Sequence, residues 1–233
     1  MYKFTLIIPI YNEENNIFKL YKEIMECQAI EYIRSIIYID DASTDNSYQK
    51  LKEISKRSNI IKLIKNDKNL GQSKSILKGI QIAETEHIIT LDGDGQNDPK
   101  DIMQLISHFM DDPNYALIAG IRSNRKDNAV KRITSKIANF IRRIYLNDDC
   151  NDTGCALKIF ERSTIINFPY FNGIHRFLPA IYKGLGKKCY FINVSHRYRI
   201  FGTSKYGTMK RLFFGIRDMI KVKQLIQLKK RTK

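Results

Sequence analysis

From its amino terminus to Gly120 the chain repeats one pattern: a short apolar run, a polar turn, then an amphipathic stretch. The runs at residues 4–9, 35–39, 60–65, 87–91 and 115–120 are rich in isoleucine and largely uninterrupted by polar residues. Strands of that kind are covered on both faces. Between them, apolar residues at helical spacing predict helices over 15–28, 46–57, 73–83 and 99–110. In the last of these Ile102, Leu105, Ile106 and Phe109 form one stripe, and Pro99 following Asp98 suits a first helical turn. The alternation predicts a three-layer α/β domain with a mostly parallel sheet, whose ligands bind at the carboxyl ends of the strands.

Past Gly120 the pattern changes. Residues 131–146 read as a helix with Ile133, Ile137, Phe140, Ile141 and Ile144 on one face and Arg132, Lys136 and Arg143 away from it. Strands over 157–160 and 189–194 and a helix over 176–182 suggest a hairpin or mixed-sheet region. Residues 209–228 return to helical spacing, with Met209, Leu212, Phe213, Ile216, Met219 and Ile220 opposite Lys210, Arg217 and Lys221. The expected organisation is a catalytic domain over 1–207 and a basic amphipathic helical extension over 208–233, suited to a membrane surface.

Composition narrows the class. With 233 residues and 43% hydrophobic side chains the chain can bury a sizeable core, so disorder is excluded as its main state. Its apolar runs are far shorter than the roughly 20 residues that cross a bilayer. Met1-Tyr2-Lys3-Phe4 lacks the charged region and cleavage site of a secretory leader. Cys27, Cys150, Cys155 and Cys189 lack zinc-knuckle or CxxC spacing and read as structural thiols of a reducing compartment. The expected location is cytoplasmic.

The net charge of +16 is concentrated rather than spread. Residues 122–143 hold 8 basic and 1 acidic side chain, and residues 199–233 hold 11 and 1, which leaves the remainder near neutrality. Patches of this kind suit an anionic membrane, a phosphorylated substrate or nucleic acid.

The turns after the strands carry the chemistry. They read Pro9-Ile10-Tyr11-Asn12-Glu13-Glu14, then Asp40-Asp41-Ala42-Ser43-Thr44-Asp45, then Leu91-Asp92-Gly93-Asp94-Gly95-Gln96-Asn97-Asp98-Pro99. Asp92 and Asp94, one glycine apart, repel unless a cation or protons compensate, and hard oxygen donors in this arrangement suit Mg²⁺ or Mn²⁺. A solvated acidic cap on the helix that follows accounts for Asp98 but not for Asp92 and Asp94.

In this order the motifs resemble family 2 glycosyltransferases of the GT-A fold. Asp152-Thr153-Gly154-Cys155-Ala156-Leu157-Lys158, His175-Arg176-Phe177-Leu178-Pro179-Ala180 and the segment from His196 through Arg199 and Gly202 to Ser204-Lys205-Tyr206 are similar to elements of the polyprenyl-phosphate sugar transferases, with the dolichol-phosphate mannosyltransferase branch nearest. The resemblance implies an inverting, metal-dependent transfer from a GDP- or UDP-linked sugar to a polyprenyl phosphate in cell-envelope glycan synthesis. Pro9, Tyr11, Glu13, Asp41 and Asp92 are then expected at the nucleotide sugar, and Asp92, Asp94 and Gln96 at the metal. Asn69-Leu70-Gly71 resembles the family's N-x-G turn. Asp94, Arg199 and Lys205 are the expected catalytic groups, with Arg122, Arg176 and Ser204 as further contacts to the acceptor phosphate.

A phosphate acceptor is already anionic at neutral pH, with a second pKa of about 6, so no strong general base is required. Lys158 stands where the family usually has arginine, and Gly93 and Gly95 replace the commoner alanine and leucine, which suggests a looser metal loop. Many bacterial relatives carry two membrane helices after the S-K-Y element. With no span encoded here, the expectation is peripheral attachment to the inner face of the membrane, alone, as a homo-oligomer or through a membrane-protein partner. Three competing classes remain: a family 2 enzyme with a soluble or envelope saccharide acceptor, a nucleic-acid-binding protein and a non-catalytic membrane adaptor. The basic tail is poor in aromatics for base stacking, so nucleic acid is not an expected partner.

Overall fold

The computed structural model describes residues 2–123, 139–199 and 208–231. In chain order the elements are β1 (Phe4–Ile10), α1 (Ile17–Glu26), β2 (Ile33–Asp40), α2 (Ser47–Ser55), β3 (Ile61–Lys65), α3 (Gln72–Ile82), β4 (His87–Thr90), α4 (Asp101–Asp111) and β5 (Leu117–Arg122). There follow a helix α5 described over 139–146, then β6 (Lys158–Glu161), α6 (Arg162–Ile166), α7 (Leu178–Gly184), β7 (Cys189–Val194) and α8 (Thr208–Arg231).

Among the described residues the strands form one sheet in the order β3-β2-β1-β4-β6-β5-β7. β1 pairs in parallel with β2 and β4, and β3 with β2. β6 enters antiparallel between β4 and β5, with Ile89 opposite Ile159 and Ile118 opposite Ile159 on the other edge. The chain moves outward from β1 to β3 and then returns to β4 on the other side, so the crevice of the sheet opens between β1 and β4.

The period-two geometry of a strand sends successive side chains to opposite faces. Leu6, Ile8 and Ile10 of β1 join one core with Ile17, Leu20 and Ile24 of α1, Leu51 and Ile54 of α2, and the α4 stripe Ile102, Leu105, Ile106 and Phe109. Ile7, Ile37 and Ile39 face the other core, against Ile76 and Ile80 of α3, Ile181 and Tyr182 of α7, and Val222 and Ile226 of α8. Covering both faces is why the strands read as continuous apolar runs. Each fully buried isoleucine or leucine contributes about 1.5–3 kcal/mol. Pro9 fits in β1 because β4 pairs only as far as Ile7, so its missing N–H leaves no gap in that ladder.

Two of the amphipathic helices show which way their apolar positions face. On α5 the expected apolar face points to solvent: Phe140 is 57% exposed, Ile141 51% and Ile144 67%, while Arg142 is buried and paired with Asp148 at 2.5 Å. Residues 131–138 lie outside the described part. On α8 the inward residues are Val222 and Ile226, and Ile216 and Ile220 are exposed. All four cysteines are free thiols, and burial raises them above the usual thiol range.

Candidate active site

The loops after β1, β2 and β4 meet at the crevice. Asn12 (φ 52°) and Ala42 (φ 59°) both adopt the left-handed region, which an alanine rarely does. The two turns are laced together: the Asn12 amide donates to Ser43 Oγ (3.0 Å), the Thr44 amide to Asn12 Oδ1 (2.8 Å), and the Glu13 amide to Ser47 Oγ (2.9 Å).

Asp41 is buried beside Ile10, to whose carbonyl its amide donates at 2.7 Å. Its Oδ1 accepts from Asn66 Nδ2 (2.7 Å) and the Leu70 amide (2.8 Å), and its Oδ2 from the Gly71 amide (2.8 Å). The Asn69-Leu70-Gly71 turn is therefore held by Asp41, with Gly71 at φ 82° supplying the conformation that lets its amide turn inward before α3. A base N–H would share a carboxylate that already accepts three hydrogen bonds.

The loop after β4 concentrates negative charge. Asp92 Oδ1 accepts from Gln72 Nε2 at 2.7 Å. Burial, and then the adjoining Asp94 carboxylate, push the Asp92 carboxyl up to about 7 against the opposing pull of Lys158, Arg122 and Arg199. Asp94 Oδ1 accepts from the Gln96 amide (3.1 Å), and its Oδ2 from Arg199 Nη2 (2.5 Å). The same Arg199 nitrogen lies 3.7 Å from Oε1 of buried Glu13, whose Oε2 accepts from Asn16 Nδ2 at 2.8 Å. Gln96 exchanges hydrogen bonds with the backbone of Arg197: its carbonyl accepts the Arg197 amide at 2.8 Å and its Nε2 donates to the Arg197 carbonyl at 3.4 Å. The Arg197 guanidinium spans Glu23 (2.7 Å) and Asp98 (2.5 Å).

Gly93 packs directly beneath β1. A methyl group there would fall 2.2 Å from Ile10 Cδ1 and 3.2 Å from the Pro9 carbonyl oxygen. The glycine brings the carboxylate loop against the β1 turn instead of loosening it.

The donor set suits a hard divalent cation. Among the described residues no three His, Cys, Asp or Glu side chains converge into a ready cage. Mg²⁺ and Mn²⁺ at phosphate-handling sites need only one or two carboxylates, the remaining positions going to phosphate oxygens and water. A carboxyl raised to about 7 by burial and then by the adjoining Asp94 carboxylate is one whose charged form a bound cation would favour.

A family model described as glycosyl transferase family 2 matches residues 5–167, a span that contains all of these loops. The chain belongs to glycosyl transferase family 2. It is 32% identical over 232 residues to a dodecaprenyl-phosphate galacturonate synthase of Rhizobium johnstonii, a match covering 97% of this chain and 68% of the relative. It is also 32% identical over 209 residues to an undecaprenyl-phosphate 4-deoxy-4-formamido-L-arabinose transferase of Pectobacterium carotovorum, covering 88% of this chain and 63% of that protein. The chain thus spans about two thirds of the length of these relatives. In fold it is similar to glucosyl-3-phosphoglycerate synthase of Mycobacterium tuberculosis, crystallised with Mn²⁺, UDP and product (TM-score 0.70, 12% identity, 95% of this chain and 78% of that one). It is equally similar to mannosyl-3-phosphoglycerate synthase of Rubrobacter xylanophilus (TM-score 0.73, 10% identity, 98% and 75%). The seven-stranded sheet is the GT-A architecture expected from the motifs.

Pro9 at the end of β1, and Tyr11, Glu13, Asp41, Asp92, Asp94 and Gln96 on the loops that follow the strands, lie around the crevice within the matched span, and Arg199 joins them from beyond it. Arg122 and Arg176 are each paired with a carboxylate. Arg122 grips buried Asp152 through Nε (2.7 Å) and Nη2 (2.8 Å), and Arg176 meets Asp218 of α8 at 3.1 Å. Ser204 and Lys205 lie outside the described residues.

Four contacts were not foreseen from the sequence. Gln72 and buried Lys158 act on Asp92, Arg197 fastens the 195–199 segment over the β4 loop, and Ser73 bonds His175 Nδ1 at 2.6 Å. The serine–histidine pair is structural: Ser73 Oγ also accepts the Gly173 amide (2.8 Å), and burial holds the imidazole neutral, its pKa lowered to about 3. No local pattern points to these contacts, because each joins residues far apart in sequence.

Proposed function

We propose that this chain catalyses inverting transfer of a sugar from a nucleoside diphosphate to a polyprenyl phosphate at the inner face of a membrane. The observation that carries the reading is the Asp92–Asp94 pair at the carboxyl end of β4, with Arg199 set across from it in the same crevice. The polyprenyl-phosphate relatives support the acceptor class.

Asp92 and Asp94, with the Gln96 side-chain carbonyl, would hold Mg²⁺ or Mn²⁺. The ion acts as a Lewis acid that neutralises charge developing on the departing nucleoside diphosphate. Pro9, Tyr11, Glu13 and the Asp41-anchored turn form the wall for the GDP or UDP portion. Arg199 and Lys205 supply positive charge to bring a phosphate acceptor close to the donor diphosphate, with Arg122, Arg176 and Ser204 in support. The acceptor oxygen is anionic at neutral pH, so the chain need only orient it in line with the leaving group.

The 1–207 unit would do the chemistry and the 208–233 segment, helical over Thr208–Arg231, would help hold it to lipid. Among the described residues no helix is long and apolar enough to cross a membrane. Phe140, Ile141 and Ile144 on α5 and Ile216 and Ile220 on α8 offer exposed apolar surface amid lysines and arginines. Lys223 of α8 links the two helices through the Tyr145 carbonyl at 3.1 Å. Each Lys or Arg near an anionic leaflet adds about 1 kcal/mol before screening.

A donor panel with a short polyprenyl phosphate and Mg²⁺ or Mn²⁺, read by product mass, tests the reading. Glycosylated prenyl phosphate is expected from wild type and none from Asp94→Ala. Transfer only to soluble saccharides would replace the acceptor assignment with the alternative family 2 reading.

A further inference from the structure

In the described structure Asp94 already has a cation. Arg199 Nη2 sits 2.5 Å from Asp94 Oδ2 and 3.7 Å from Glu13 Oε1, between two carboxylates whose side chains are only 12% and 7% exposed. Its backbone is not free to wander: Arg197, two residues earlier, is tied to the Gln96 backbone and clamped by Glu23 and Asp98, and the Ser195 amide donates to Asp101 Oδ2 at 2.8 Å. The guanidinium is thus delivered to the metal loop by a braced segment.

We infer that Arg199 is an internal cation that occupies Asp94 until a divalent metal displaces it, and that this displacement releases the guanidinium to receive the acceptor phosphate. The inference rests on the proposed metal and acceptor roles and adds an order to them. A guanidinium 2.5 Å from Asp94 Oδ2 takes one lone-pair direction of that oxygen and sets a positive charge where a divalent ion on the same carboxylate would lie, so the metal and Arg199 compete for Asp94. Once released, Arg199 remains beside the site on its braced segment, positively charged at every accessible pH. Acceptor capture then follows metal and donor binding. That order keeps a phosphate acceptor from closing the site before the donor has entered.

Calorimetry with Mn²⁺ and UDP, without lipid, reads the competition directly. Losing a charge-assisted competitor of this kind should tighten Mn²⁺ binding by roughly 10- to 100-fold in Arg199→Ala. Lys19→Ala serves as the charge control, since Lys19 lines the cleft beside Asp94 without being the cation placed on it. Its exposed charge should alter affinity by less than about twofold.

A second arm uses a short-chain prenyl monophosphate. Wild type should bind it only after Mn²⁺ and UDP, whereas Asp94→Asn should bind it in EDTA, because the neutral amide no longer retains Arg199. Unchanged or weaker Mn²⁺ binding in Arg199→Ala, or equal tightening in Lys19→Ala, overturns the competition while leaving the metal role standing. Equal prenyl phosphate binding by wild type with and without Mn²⁺ and UDP overturns the order. If neither wild type nor Arg199→Ala binds Mn²⁺ in the presence of UDP, the metal role and this inference fall together.

Discussion

Gly93 separates the two carboxylates of the β4 loop, and its hydrogen atom faces β1 at a distance that leaves no room for a methyl. Gly93→Ala would set a Cβ 2.2 Å from Ile10 Cδ1, with the Pro9 carbonyl oxygen at 3.2 Å. One of the two must move. Overpacking of this kind typically costs about 1–3 kcal/mol. In a chain of this length each kcal/mol lowers Tm by about 2–4 °C, so a fall of roughly 3–10 °C is expected in a thermal melt. The structure also names the remedy. Ile10→Val removes Cδ1 and leaves Cγ1, which would lie 3.5 Å from the new Cβ, an ordinary contact. Alone, that truncation should cost about 0.5–1.5 kcal/mol. The double variant should be more stable than the sum of the two single effects, with a favourable coupling of about 1 kcal/mol or more. Mn²⁺-dependent UDP binding, weakened in Gly93→Ala because Asp92 and Asp94 flank the shifted residue, should recover with Ile10→Val. A Gly93→Ala melt indistinguishable from wild type, or strictly additive effects in the double variant, would refute the close approach and the reasoning built on it.

Three further outcomes are expected. The Asp92 carboxyl is raised in the fold to about 7, so its contribution to metal-free stability is complete below its unfolded value near 4 and is lost as pH rises through about 7. Melts in EDTA should fall across that window, recover with Mn²⁺ and flatten in Asp92→Asn, and a flat wild-type profile would contradict the assignment. Arg142→Ala leaves fully buried Asp148 without its guanidinium, a loss of about 3–5 kcal/mol measurable by chemical denaturation. Phe140→Glu with Ile144→Glu should sharply reduce flotation with anionic liposomes while leaving the melting temperature within about 1–2 °C, since both side chains are exposed. Undiminished flotation would remove α5 from the membrane-facing surface.

The fold was largely legible from local pattern. Runs covered on both faces and amphipathic stretches between them located β1 to β5 and α1 to α4, because burial on two faces or one stripe leaves a signature in consecutive residues. The carboxylate-bearing turns were legible for the same reason: they follow strand ends, and an Asp-Gly-Asp turn concentrates charge that demands compensation. What supplies that compensation was not legible. Arg199 bonds Asp94 because the 195–199 segment is fastened to Gln96, Asp98 and Asp101, and the charge of Lys158 acts on Asp92 because β6 enters antiparallel beside β4. Periodicity likewise found the apolar stripes of α5 and α8 but not the direction they face. On α5 the buried Arg142–Asp148 pair turns Phe140 and Ile144 outward, and on α8 Val222 and Ile226 take the inward side. A helical repeat states which residues share a face. Which face meets the core is set by neighbours distant in sequence, through sheet order and long-range ion pairs that no local window contains.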